Sequence, residues 1–465
     1  MTMGQMARAS VLVAMTLLGF VRQAHAFCNP DTDPPLACTV NGVDGERVCQ
    51  ANGQYGPCSA APPPPPPSSG TVSGGVAFFQ NQGNFCPATR TCTGATYVES
   101  QYHTNMPIGE TKVFIQRASD NATIGQGVTD SNGRFTISWT NPATTGNITA
   151  NLIWVGEHKD GRFAVRSSSG AQFIFWTPNF TLNTGGNTES GTWTWGSAGA
   201  PHSLANVYDG AFHMWSFGLS QSNRMNSFFT GLSIYAFDDV CPTSCANGPS
   251  NRITLNTGAA YSPQARIMHE MGHIASYKGS SDQTFIQTGN CEFYSYPSMT
   301  CVKGSGWTLD GPEWEAAAFE EGVATHLGDV CLYRANATDP HTCLSATACG
   351  TGSFNIETSL GTTCAADQNR WPLNHVRYHW DNYDSNSDYT GEDLSRGMWE
   401  VLDTLSTFPL GLDNRDKDEP FVVQGGSIFI DDLDGRSPID FREHWLTLGT
   451  NSSTQLANNC GSMGD

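Results

Sequence analysis

The sequence predicts a multidomain chain, in which a small cysteine module is followed by a β-sandwich and then by a larger α+β domain. Three observations predict this order. Four cysteines, Cys28, Cys38, Cys49 and Cys58, are followed at once by six consecutive prolines, Pro62–Pro67. Short apolar-alternating segments separated by turn residues fill 71–198. Beyond about residue 200 the apolar period changes to that of helices, and one of these carries H-E-x-x-H at 269–273.

The first element is an export signal. Arg8 precedes an apolar run, Val11–Val21, whose eleven residues are too few to span a bilayer. Ala24, His25 and Ala26 then give a small-x-small cleavage site, so 1–26 is expected to be a secretory signal peptide. Phe27 stands before Cys28, which argues against a lipid anchor, and no later stretch reads as a membrane span. All fifteen cysteines lie beyond the cleavage point in short-range clusters, as disulfides in an oxidising compartment would. Fifteen is odd, so one thiol is expected to be free or to pair between chains. Residues 27–60 are too few to build a core without such staples. This segment resembles short cysteine-rich units of secreted bacterial proteins, and a secreted, bacterial protein is the expectation. The linker at 61–70 contains the proline run, which adopts an extended, semi-rigid helix.

The β domain, 71–198, follows. Strands are expected at Thr111–Gln116, Gly133–Trp139, Ile148–Val155, Gln172–Trp176 and Gly191–Trp195, with a turn at Asp130–Gly133. That spacing suggests a sandwich. The stretch Gly127–Phe135 resembles transthyretin-like or carboxypeptidase-regulatory-like domains, which accompany secreted enzymes. Nothing in this region reads as catalytic.

The last domain, 199–465, alternates helices and strands. Leu204, Val207, Tyr208, Ala211, Phe212 and Trp215 form one apolar stripe, predicting a helix over 203–220. Leu232–Phe237 and Asn251–Asn256 read as strands. The place of the second, just before the H-E-x-x-H helix, resembles that of the zincin edge strand, and the resemblance implies that it pairs with a substrate backbone. Further helices are expected at 312–326, 371–384, 392–405 and 438–448.

The chemistry lies in His269, Glu270 and His273. Residues four apart share a helix face, so the two imidazoles can meet one cation, with Glu270 beside them to take a proton from water. Chance produces this pattern on the order of once per hundred chains of this composition. A catalytic zinc takes three protein ligands. Ser276 and Gly279 stand where the longer H-E-x-x-H-x-x-G-x-x-H pattern needs Gly and His, so the third ligand must lie elsewhere.

The segment Glu321–Ala324 reads E-G-x-A, 48 positions after His273 (321 minus 273). With this the chain resembles the gluzincin metallopeptidases. The resemblance implies a zincin-like fold, a Zn2+ ion held by His269, His273 and Glu321, and Glu270 as general base. It implies hydrolysis of peptide bonds in a protein or peptide substrate. Glu320, about 100° away on the helix, cannot share the metal with Glu321, and Glu315 is the alternative ligand. Where thermolysin has an aspartate four residues after the ligand glutamate, this chain has Thr325. His326 and Asp329 are the candidates to orient a ligand histidine. For the oxyanion, the resemblance points downstream to Tyr378 or Tyr383.

A formal charge of -20 argues against nucleic acid as a partner. Two acidic clusters, Asp381, Asp384, Asn386, Asp388 and Asp393, and Asp431, Asp432 and Asp434, suit structural Ca2+. Helix caps and solvated loop tips account for the same pattern. A different function class is an adhesin whose β domain binds and whose second domain is inactive, although an inactive scaffold has no use for Glu270.

Overall fold

The computed structural model describes residues 35–40, 43–52, 54–60, 68–80, 103–142, 146–195, 200–221, 225–241, 244–257, 264–279, 293–295, 300–302, 309, 315–333, 340–342, 354–356, 372–383, 422–424 and 427–429. The signal segment, the helices expected at 392–405 and 438–448, and the acidic clusters from Asp384 onward lie outside these. So does the side chain of Glu315. Among the described residues no helix is long and apolar enough to cross a membrane. The chain divides into two compact units, 1–66 and 67–465.

In the first unit β1 (Leu36–Val40) pairs with β2 (Val43–Arg47), and β2 with β3 (Ser59–Ala60), all antiparallel. A disulfide joins Cys38 to Cys58, and Cys49 is also disulfide-bonded.

The second unit is a mixed α+β structure dominated by one sheet of thirteen strands. Its first part is antiparallel apart from one pair. β4 (Ser68–Gln80) pairs with β5 (His103–Pro107) and β8 (Arg134–Asn141), and parallel with β13 (Asn187–Trp195). The path continues through β7 (Thr123–Val128) and β6 (Thr111–Arg117) to β9 (Ile148–His158). Strict alternation on β8 turns Phe135, Ile137 and Trp139 inward, where they meet Val113, Ile115, Leu152 and Trp154. The turn before β8 forms as expected. The Asp130 carboxylate accepts the N–H groups of Asn132 and Arg134 at 2.8 and 2.9 Å. Gly133 closes the turn at φ +69°, where an added Cβ would meet the Val76 carbonyl at 2.5 Å.

Two expectations change here. The strands between 68 and 195 all belong to one hydrogen-bonded sheet rather than to two. The reason is β9, eleven residues long, which carries β6 on one edge and β11 (Ile174–Trp176) and β12 (Phe180–Leu182) on the other. Beyond them it hands on to β10 (Phe163–Arg166) through the pair Ala164–Glu157. The sheet also runs across the expected boundary at 198/199, because β10 pairs parallel with β14 (Leu232–Ala236).

From β10 onward the order is β10-β14-β16-β15. β16 (Arg252–Leu255) is parallel to β14, and β15 (Ser244–Asn247) is antiparallel to β16. The strand expected at the edge is therefore interior. Both edges of β16 are occupied, so its backbone cannot take a substrate, and β15 is the outer strand instead. A disulfide between Cys241 and Cys245 ties the start of β15.

Helix α1 (Ala200–Gln221) buries the apolar stripe read from the sequence. It also grips the preceding strands. The Tyr208 hydroxyl donates to the carbonyls of Gly109 and Glu110, each at 3.2 Å, and Trp215 lies 4.3 Å from the His158 ring. After the short α2 (Met225–Phe228) comes α3 (Gln264–Gly279), buried almost all round as an interior helix must be. Gln264 Nε2 fixes its first turn to α1 by donating to Asp209 Oδ2 at 2.7 Å. α4 (Glu315–Leu332) packs on α3, and α5 (Pro372–Tyr383) packs on α4.

Candidate metal centre

Three helices share one narrow seam, and small residues set its width. At Gly272, an added Cβ would strike the Ala324 backbone, with Cα at 2.7 Å and C at 2.9 Å. At Gly328, it would lie 3.2 Å from His269 N. At Gly322, it would lie 2.8 Å from the Pro372 carbonyl, with the His375 side chain closer still. Thus the Gly of H-E-M-G-H and the Gly and Ala of E-G-V-A are packing residues that allow the helices to touch. Partners run in opposite order, His269 with Gly328 and Thr325, Gly272 with Ala324, and Ser276 with Glu320, so α3 and α4 are antiparallel.

That crossing brings His269, His273 and Glu321 together, with their ligand atoms within 4.8 Å of one another. Glu321 Oε2 is 3.2 Å from His269 Nε2 and 3.2 Å from His273 Nε2, and the two nitrogens are 3.2 Å apart. The three donors form an equilateral triangle. A tetrahedral ion with bonds of ~2.05 Å has ligand–ligand edges of ~3.3 Å. The triangle therefore fits, and this group could hold a metal ion.

The other ring nitrogens are held from behind. His269 Nδ1 lies 2.9 Å from Thr325 Oγ1. His273 Nδ1 lies 3.5 Å from Glu320 Oε1, while Ser276 Oγ donates to Glu320 Oε2 at 3.0 Å. Such contacts fix which nitrogen faces a metal. Glu320 does turn away from the triangle, as the helical angle requires, and does so to orient His273. Sequence reasoning passed over Glu320 and Thr325 in this role. The signal was available, since Thr325 follows Glu321 by one helical turn and a hydroxyl can replace a carboxylate as hydrogen-bond partner. His326 and Asp329 are placed elsewhere. His326 faces the His379 ring at 5.4 Å, and Asp329 is buried on α4 eight residues beyond Glu321 (329 minus 321).

Electrostatics follow the geometry. Burial pulls the His269 imidazole down, and Glu321 offsets only part of this. Burial opposes charge on His273 too, but Glu321 and Glu320 overcome it and raise it well above its ordinary value. Burial likewise opposes charge on Glu321, yet the two histidines hold its carboxyl down at about 2. These directions favour an ionised Glu321 beside a protonated His273 in the metal-free cluster. Glu270 is buried beside it, and its charge is felt by His269, His273 and Arg266.

The expected tyrosines are not part of the triangle. Tyr383 donates its hydroxyl to the Tyr333 carbonyl at 3.4 Å. Tyr333 lies twelve residues beyond Glu321, roughly 18 Å along the α4 axis. The phenol is thus committed at the far end of the seam. Tyr378 is fully buried within α5.

No protein-family model matches the chain, and no curated protein matches it. Among solved structures it is similar to a 9R-lipoxygenase from Cyanothece, at 13% identity, over 37% of this chain and 25% of that one, with a TM-score of 0.16. A likeness of that size carries no argument about fold or activity.

Proposed function

We propose that this chain is a zinc-dependent metallopeptidase of gluzincin type. The observation that carries the reading is the 3.2 Å triangle of His269, His273 and Glu321 with a buried carboxylate, Glu270, one residue from the first ligand. Two imidazoles and one carboxylate are a donor set for catalytic zinc that leaves a position open. Bound zinc supplies Lewis acidity and makes water nucleophilic near neutral pH. The chain's own residues do the rest. Glu270 takes the proton as water attacks the scissile carbonyl and passes it to the leaving amine. Thr325 and Glu320 keep the ligand nitrogens in place. β15, the outer strand among the described residues, offers its backbone edge to an extended peptide. The finer architecture proposed is zincin-like, with β10, β14 and β16 parallel, β15 antiparallel outside them, and α1 and α3 packed against the strands. The disulfides Cys38–Cys58 and Cys241–Cys245 support an oxidising, extracellular setting.

The test is elemental analysis of the purified protein with a peptidase assay. One zinc per chain, lost in Glu321→Ala, is expected. Glu270→Gln is expected to keep zinc and lose cleavage. Wild type without zinc, or Glu270→Gln with full activity, refutes the reading.

A further inference from the structure

Arg266 opens the stripe that carries the metal centre. It stands three residues before His269 and four before Glu270, so all three lie on one face of α3. Unlike nearly all of α3, it is only half-buried. Its Nη1 donates to the Ser244 hydroxyl at 3.2 Å, and Ser244 is the first residue of β15. Its charge acts on Glu270 and on Glu321. A guanidinium thus links the outer strand of the sheet, through Ser244, to the helix face that carries His269 and Glu270. The chain has 23 basic against 43 acidic residues, so a cation at this point is not the product of a generally basic surface.

A guanidinium presents five donors in a planar fork that matches a carboxylate. The bond to Ser244 anchors one arm of that fork to the strand. A peptide laid along β15 passes Ser244 on its way to the triangle, so the group nearest Arg266 belongs to a residue beside the scissile bond. We infer that Arg266 is a specificity residue that takes a substrate carboxylate next to the scissile bond, either an acidic side chain or the free C-terminus. This rests on the peptidase reading, and its test is arranged to be separable from it.

Binding is measured by calorimetry to the zinc-loaded Glu270→Gln protein, which needs no turnover. The probes are capped peptides with Glu or Gln at each position flanking the scissile bond, and one short peptide as free acid or amide. A hydrogen-bonded charge pair discriminates by about 10- to 100-fold. The carboxylate member of at least one pair is expected to bind tighter by that factor. Preference for Glu over Gln assigns a side chain, and preference for acid over amide assigns the chain terminus. Adding Arg266→Met is expected to bring the ratio to about one, while Arg266→Lys keeps part of it. Ser244→Ala, which leaves the charge and removes the anchor to β15, is expected to lower the ratio by a few fold. Equal affinity within every pair overturns the inference, as does a uniform loss for all peptides in Arg266→Met, or no binding of any peptide. Failure of zinc-loaded wild type to cleave any peptide removes the peptidase reading instead, and the binding ratio still reports on Arg266.

Discussion

Gly272→Ala separates two effects that oppose each other. In a helix interior, alanine is better than glycine by about 1 kcal/mol, so a site with room would be stabilised. Here the added Cβ would stand 2.7 Å from Ala324 Cα, and ordinary contact begins at 3.4 Å. The obstacle is backbone, so α3 and α4 must part by at least 0.7 Å, the difference between those two distances. Overpacking of this kind costs about 1–3 kcal/mol, and with no side chain able to yield the upper end applies. Subtracting the helix gain leaves a net loss of about 2 kcal/mol in the metal-free protein. The effect on the site is larger in proportion. Glu321 rides on α4, and ligand distances tolerate only about 0.2 Å. A zinc affinity lower by about 10- to 100-fold is expected, the size seen when supporting contacts are lost. Thermal unfolding in EDTA reads the first quantity, and competition with a chromophoric chelator reads the second. Gly328→Ala, whose Cβ would sit at 3.2 Å from His269 N, should show both effects more weakly. A Gly272→Ala protein that is more stable by about 1 kcal/mol and binds zinc as wild type does would refute the account of the seam.

Other outcomes are expected. Thr325→Val and Glu320→Gln, which remove the partners of the outer ring nitrogens, should each lower zinc affinity or turnover by about 10- to 100-fold while leaving the ligand set intact, as titration and assay will show. Zinc binding should release about one proton near neutral pH, since His273 holds a proton in the metal-free pair, and calorimetry in buffers of different ionisation enthalpy measures it. Burial holds His326 neutral in the seam between α4 and α5, with its pKa near 3. Its folded value lies below its unfolded value of about 6.5, so stability is intact above that pH and is lost as pH falls toward 3. At pH 5 the loss is about 2 kcal/mol from this residue. Denaturant titrations of the metal-free protein should show that slope shallower in His326→Phe.

Much of the half that carries the metal centre was legible because its signals are local. The stripe from Leu204 to Trp215, the alternation at Phe135, Ile137 and Trp139, and the spacing of His269 and His273 all follow from helix and strand periods. Glu321 needed a resemblance, since nothing in the spacing ties a residue 48 positions away to the first helix. What was missed depends on neighbours remote in sequence. β4 contains Gly70, Gly74 and Gly75, which depress strand propensity. They are there because β8 and the segment around β13 press close, the Gly186 carbonyl lying 2.7 Å from where a Cβ at Gly70 would stand. β16 reads as the edge only from its place before the H-E-x-x-H helix, and the pairing of β15 along its outer side is not visible in the sequence. Tyr378 and Tyr383 came from the resemblance alone, and the contact of the Tyr383 hydroxyl with the Tyr333 carbonyl depends on how α5 packs, which no local pattern shows.

The unbroken ladder from β4 to β15 bears on how this protein arose and how it can be cut. A fragment beginning at residue 199 would lack β10 and leave β14 with a row of unpaired N–H and C=O groups, an invitation to edge-to-edge aggregation. A fragment ending at 198 would leave the mirror-image edge on β10. Recombination at that point would meet the same penalty, because it too would separate β10 from β14. Among the described residues, the strands of the cysteine module pair only with one another, so cutting in the proline run opens no such edge.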